Sequence, residues 1–194
     1  MKDQKEYQTE SSNRIVTIPN LLSFFRLCLI PAFVWMYCVE KEYIWTGILL
    51  LVSGATDTVD GLIARRFHMT SDLGKILDPV ADKLTQAVML FCLVTRFPFL
   101  LLLLALMIVK ECFMAVTGYL VIRRTGSVFG ASWHGKVVTW LLYGVMILHV
   151  FWYRIPVSVS EILTGICMMM MAISLYLYGR KNLKVLKGKV PEKD

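Results

Sequence analysis

Two carboxylates, Asp57 and Asp60, lie in an apolar run over residues 43–64, and two more, Asp78 and Asp82, open the next one. The connecting segment reads DTVDGLIARRFHMTSDLGKILDPVAD. An ionisable side chain in a run of that kind must face an interior or a water-filled cavity, and it needs a partner there. Four acids so close together cannot all stay ionised without positive charge between them. A divalent metal is the natural candidate. The spacing also sets the faces. Asp57, Asp60, Gly61 and Ala64 fall at i, i+3, i+4 and i+7, and Gly74, Asp78 and Asp82 at i, i+4 and i+8, each set on one face of a helix. Two such faces packed antiparallel would bring four carboxylates together beside Arg65, whose guanidinium is a fork of donors suited to phosphate.

The remaining chain is built to surround such a site. With 57% hydrophobic residues among 194, it has the composition of a polytopic membrane protein and the length of one domain. Six stretches approach the roughly 20 apolar residues of a span: 20–39, 43–64, 78–96, 99–122, 135–152 and 158–178. The expected fold is therefore an all-α integral membrane protein of six transmembrane helices, with a polar, metal-binding cavity opening to the cytosolic side. Residues 1–17 read as a polar N-terminal tail, 18–180 as the six-helix domain and 181–194 as a basic C-terminal tail. No cleavable leader is expected, so the first span would serve as the targeting signal.

Net charge is +7, and its distribution sets the orientation. Arg65, Arg66, Lys75, Arg123, Arg124, Lys136 and the run from Arg180 onward flank one set of span ends, whereas the opposite loops hold Lys41, Arg96 and Arg154. The positive side is cytosolic, which puts both termini and the aspartates there. Basic residues that flank spans and form no stacking platform exclude nucleic acid as a partner. Five cysteines, Cys28, Cys38, Cys92, Cys112 and Cys167, stand singly in apolar stretches and read as buried small hydrophobes.

The pattern D-x2-D-G-x2-A-R-x8-G-x3-D-x3-D resembles the motif of the CDP-alcohol phosphotransferase family, membrane enzymes of phospholipid synthesis. Asp57, Asp60, Gly61, Ala64, Arg65, Gly74, Asp78 and Asp82 fill all eight fixed positions. The resemblance implies two Mg2+ ions per site, with Mn2+ as substitute, held by Asp57, Asp60, Asp78 and Asp82. It implies Asp82 as the catalytic base that takes the acceptor's proton. Asp57, Asp60, Gly61, Ala64, Arg65 and Gly74 would bind the CDP moiety. A homodimer in the membrane is implied as well.

Around this motif, Asn20, Ser23 and Arg26 form N-x2-S-x2-R in the first span, either lining the pocket or acting as a cap and a snorkelling arginine. Lys110 and Glu111 lie deep in the fourth stretch, where they suggest a polar cavity. Lys136, with Lys110 and Arg123, is the candidate for holding an acceptor phosphate. His134 can assist it, and His68 and His149 have no constellation in the sequence. Within the family, the resemblance points to the bacterial phosphatidylglycerophosphate synthases, which join CDP-diacylglycerol to glycerol 3-phosphate. Lys110–Glu111 stands in place of their Arg-Glu pair, and Gly118 falls near the position of a second arginine. The ending SLYLYGRKNLKVL also resembles cardiolipin synthases that use phosphatidylglycerol as acceptor. A small cation transporter is the alternative from another class, although no internal repeat supports it.

Overall fold

The computed structural model describes residues 18–66, 74–125, 133–152 and 154–186, and within them the side chains of 20–56, 77–124, 133–152 and 154–185. These residues form six α-helices: α1 (Ile18–Val34), α2 (Tyr43–Arg66), α3 (Gly74–Val94), α4 (Leu100–Thr125), α5 (Trp133–Phe151) and α6 (Val157–Leu186). A short π-helical segment, Trp35–Val39, continues α1. Its widened turn follows Pro31, which lies inside α1 and cannot donate to the helix ladder.

Six helices thus stand where six apolar stretches were expected. Among the described residues, four segments are long and apolar enough to cross a membrane: Asn20–Val39, Leu100–Arg124, Trp133–Phe151 and Val157–Val185. The other two helices carry the motif. The apolar portion described in α2 is the shorter Tyr43–Thr56. In α3, Asp78, Asp82 and Lys83 all fall in the first half of the helix.

Two helices run beyond their apolar stretches. α3 extends four residues ahead of the apolar stretch that opens at Asp78 and takes in Gly74, as the i, i+4, i+8 spacing of Gly74, Asp78 and Asp82 requires, so Pro79 sits inside the helix. α6 runs on to Leu186, and the first residues assigned to a basic tail are its last turns. Arg180, Lys181, Asn182 and Lys184 carry straight or polar side chains that a helix accommodates.

The chain divides into two compact units, Met1–Cys92 and Leu93–Asp194. In the first, α1 packs against α2. Among the described residues its buried apolar side chains include Phe33, Tyr37, Leu50, Ala81, Met89 and Leu90. α3 shows why it folds as it does: Ala81, Thr85, Met89 and Cys92 repeat at helical spacing on the buried side, while Val80, Leu84 and Phe91 are exposed. Between α1 and α2 the chain turns through Lys41, whose φ of 58° is left-handed.

In the second unit, α6 packs against both α4 and α5. Its core includes Leu103, Met107, Leu142, Met146, Cys167 and Met171. The methionine run of α6 winds around the helix, with Met171 buried and Met169 exposed. Trp133 and Trp152 are exposed at the two ends of α5, where amphipathic indoles suit membrane interfaces. Of the five cysteines only Cys92 and Cys167 are buried. Cys28, Cys38 and Cys112 sit on outward faces, which corrects the expectation that all five fill the interior.

Candidate functional site

α3 presents the described part of the aspartate motif. Asp78 and Asp82 lie one helical turn apart on it, both partly buried. Each is held by a neighbour. Ser23 of α1, fully buried, donates its hydroxyl to Asp78 Oδ1. Gln86, also fully buried, donates from Nε2 to both oxygens of Asp82, at 3.1 and 3.0 Å. Lys83 Nζ stands 3.7 Å from Asp82 Oδ2 and 3.4 Å from Gln86 Oε1.

The α1 face over Asn20, Ser23 and Arg26 faces inward: the three residues are 6%, 0% and 1% exposed. That burial rules out the snorkelling reading of this segment. Arg26 is enclosed by protein instead of reaching an interface. Asn20 is the third residue of α1 rather than its cap, since the helix opens at Ile18. With Ser23 on Asp78, the N-x2-S-x2-R face belongs to the surroundings of the acidic helix.

Asp57, Asp60, Gly61, Ala64 and Arg65 lie on α2, and Gly74 opens α3. Their side chains are outside the described residues, as is the expected convergence of α2 with α3. Among the described residues no group of three or more His, Cys, Asp or Glu gathers around a point. Asp78 and Asp82 supply oxygen donors alone, a set whose chemistry fits a hard divalent cation such as Mg2+ or Mn2+.

The three acceptor candidates belong to the second unit. Lys110 is 4% exposed and its Nζ is 2.7 Å from Glu111 Oε1, so its charge is already matched within α4. Arg123 is exposed in the last turn of α4. Thirteen residues separate it from Lys110, about 20 Å along the axis at 1.5 Å per residue. One small phosphate cannot engage both, so the expected trio is not a single site. Lys136 is exposed in the first turn of α5.

Beside Lys136, a tight seam joins α5 to α6. His134 Nδ1 lies 3.3 Å from Ser174 Oγ, and its ring meets Tyr178 edge-on at 4.8 Å. Gly135 makes this closeness possible, because a Cβ there would meet the Tyr178 hydroxyl at 2.8 Å. One turn beyond Tyr178 on α6, Asn182 donates to Thr117 Oγ1 of α4 at 2.9 Å.

One cluster has no signal in the sequence. His149, 1% exposed on α5, has Nδ1 2.7 Å from the Val145 carbonyl and Nε2 2.7 Å from Ser160 Oγ on α6. Phe97 packs edge-on against its ring at 5.0 Å. A ring with both nitrogens engaged ties α5 to α6 and is a structural histidine. Gln86 is the other residue missed. Its signal is a lone amide in an apolar stretch, four residues after Asp82.

A family model described as CDP-alcohol phosphatidyltransferase matches residues 16–178. The chain is 28% identical over 189 residues to the CDP-diacylglycerol--glycerol-3-phosphate 3-phosphatidyltransferase of Bacillus subtilis, covering 88% of this chain and 97% of that relative. To the protein of the same name from Yersinia pestis it is 32% identical over 139 residues, 68% of this chain and 75% of the other. It is also 40% identical over 79 residues to the cardiolipin synthase (CMP-forming) of Streptomyces coelicolor, 38% of this chain and 36% of that relative. The chain spans little more than a third of the length of the cardiolipin synthase it matches there.

Proposed function

The chain belongs to the CDP-alcohol phosphatidyltransferase family, and on that premise we propose that it transfers the phosphatidyl group of CDP-diacylglycerol to the hydroxyl of glycerol 3-phosphate. The products are phosphatidylglycerophosphate and CMP. The observation that carries this reading is the family match over 16–178, which encloses all eight motif positions. The near full-length similarity to the Bacillus subtilis relative supports the acceptor.

The chain's own residues divide the work. Asp57, Asp60, Asp78 and Asp82 would hold two divalent cations, whose charge would neutralise the diphosphate and stabilise the attacking and leaving oxygens at phosphorus. Gly61 and Ala64 leave room for the cytidine, Gly74 permits close helix approach, and Arg65 meets the diphosphate. Asp82 takes the proton from the acceptor hydroxyl as its oxygen bonds to phosphorus. The bond from phosphorus to the CMP oxygen breaks, and CMP leaves. Ser23 fixes Asp78, and buried Arg26 and Asn20 line the same neighbourhood. Lys136, exposed at the start of α5, receives the acceptor's phosphate, with Arg123 as the second candidate.

All six helices cross the membrane in this reading. The positive flanks place the termini and the motif on the cytosolic side, where a water-soluble acceptor is found. The protein pairs as a homodimer.

A second reading is favoured by two observations: the similarity to the Streptomyces coelicolor cardiolipin synthase, and glycine rather than arginine at position 118. In it the acceptor is phosphatidylglycerol. The test is CMP release by purified protein in detergent with CDP-diacylglycerol and Mg2+, given each acceptor separately. Release with glycerol 3-phosphate alone supports the first reading, and release with phosphatidylglycerol alone replaces it with the second. Asp57→Asn, Asp60→Asn and Asp78→Asn are expected to abolish release, whereas Asp82→Asn stops turnover but keeps CDP binding. Wild-type turnover in any of the four would remove that residue from the mechanism.

A further inference from the structure

We propose that Gln86 is a positioning residue for Asp82, holding its carboxylate in the orientation that accepts the acceptor's proton. The inference rests on the reading of Asp82 as that proton acceptor.

A buried amide must find partners at both ends, and Gln86 is fully buried. Its two ends are told apart by charge. Oε1 lies 3.4 Å from the Lys83 ammonium, and Nε2 lies 3.0 and 3.1 Å from the two oxygens of Asp82. The reversed amide would set oxygen against carboxylate and N–H against ammonium. The assignment is therefore fixed by electrostatics, and the amide has one way to sit. It is also penned in. Ala81, Thr85, Met89 and Leu90 around it on α3 are all fully buried, and the Thr85 hydroxyl is turned back on the Ala81 carbonyl at 2.9 Å.

Asp82 has two rotatable side-chain bonds, and a donor shared by both of its oxygens restricts them together. One amide nitrogen thus contacts both oxygens of the carboxylate, at 3.0 and 3.1 Å. The amide adds no net charge, so it holds the carboxylate without neutralising it as a salt bridge would. Lys83, at 3.7 Å, is too long for a hydrogen bond to Asp82. It forms an ion pair with the carboxylate at that distance and also reaches the far end of the amide, Gln86 Oε1, at 3.4 Å.

The test compares Gln86→Met, which keeps length and removes the donor, with Gln86→Glu, which replaces the donor by an acceptor. Thr85→Val serves as a neighbouring buried control. CMP release gives kcat and KM for CDP-diacylglycerol, and the same assay in D2O gives the solvent isotope effect. CDP affinity and the thermal midpoint are measured alongside.

Gln86→Met is expected to lose roughly 10–100-fold in kcat, the range seen when the partner of an active-site ligand is removed. KM, CDP affinity and midpoint stay near wild type, and the isotope effect on kcat rises as proton transfer becomes slower. Gln86→Glu loses more, and Thr85→Val moves neither kcat nor the isotope effect. The inference is overturned if Gln86→Met keeps wild-type kcat while Asp82→Asn is inactive. It is equally overturned if kcat falls only together with midpoint and CDP affinity. Wild-type turnover by Asp82→Asn would instead bring down the role given to Asp82, and the inference with it.

Discussion

A fully buried histidine, His149, shows how single residues in this chain carry weight that neighbours in sequence do not reveal. Its partner Ser160 lies eleven positions on, across the turn between α5 and α6, and only the helix pairing brings them together. His149→Phe removes both hydrogen bonds and leaves the Ser160 hydroxyl, 3% exposed, without its acceptor. A loss of about 1–3 kcal/mol is expected, read as a lower thermal midpoint in detergent, with kcat per folded molecule unchanged. Gly118 is the opposite case. A Cβ there would meet nothing within 4 Å, so no neighbour demands glycine. Gly118→Arg is expected to fold with an unchanged midpoint and to lower KM for glycerol 3-phosphate. An unchanged KM would separate this position from acceptor binding. Ser23 and Arg26 were legible as a polar face in an apolar helix. What the sequence left open was whether that face turns inward, and burial answers it.

Among the elements, helix existence was legible and helix ends only in part. Apolar stretches of span length announce all six helices, because burying so many apolar side chains leaves the backbone little choice but to bond internally. The spacing of Gly74, Asp78 and Asp82 made one helix of them legible, and α3 indeed begins at Gly74, four residues before the apolar stretch opens at Asp78. The basic run after Arg180 looked like a tail. It remains helical through Leu186, and the hydrogen bond from Asn182 to Thr117 fastens this stretch to α4. The α5–α6 seam offers a direct test. Gly135→Ala sets a methyl 2.8 Å from the Tyr178 hydroxyl and 3.3 Å from its ring. Overpacking of this kind costs about 1–3 kcal/mol. Adding Tyr178→Phe removes the nearer clash and is expected to recover part of the lost midpoint. Equal midpoints for Gly135→Ala and wild type would show that the ring moves aside freely.

For the whole molecule, topology is the property that the charge pattern encodes and the helices make testable. With cysteine-free protein as background, Lys41→Cys and Arg154→Cys are expected to react with a membrane-impermeant maleimide in intact cells. Arg124→Cys should react only after the membrane is opened. The reverse pattern would turn the active site outward and separate it from a cytosolic acceptor. α6 adds a constraint of another sort. Its 30 residues make a rod of about 45 Å, while the hydrocarbon layer is about 30 Å thick. Arg180, Lys181 and Lys184 stud the end that overshoots. Set across a bilayer, such a rod would be a depth gauge, its cationic end at the level of the lipid headgroups and resisting being drawn into the hydrocarbon. A thinner bilayer would then tilt α6, and with it the α4 and α5 seams it carries. Turnover measured in vesicles of graded acyl-chain length would therefore trace an optimum in membrane thickness.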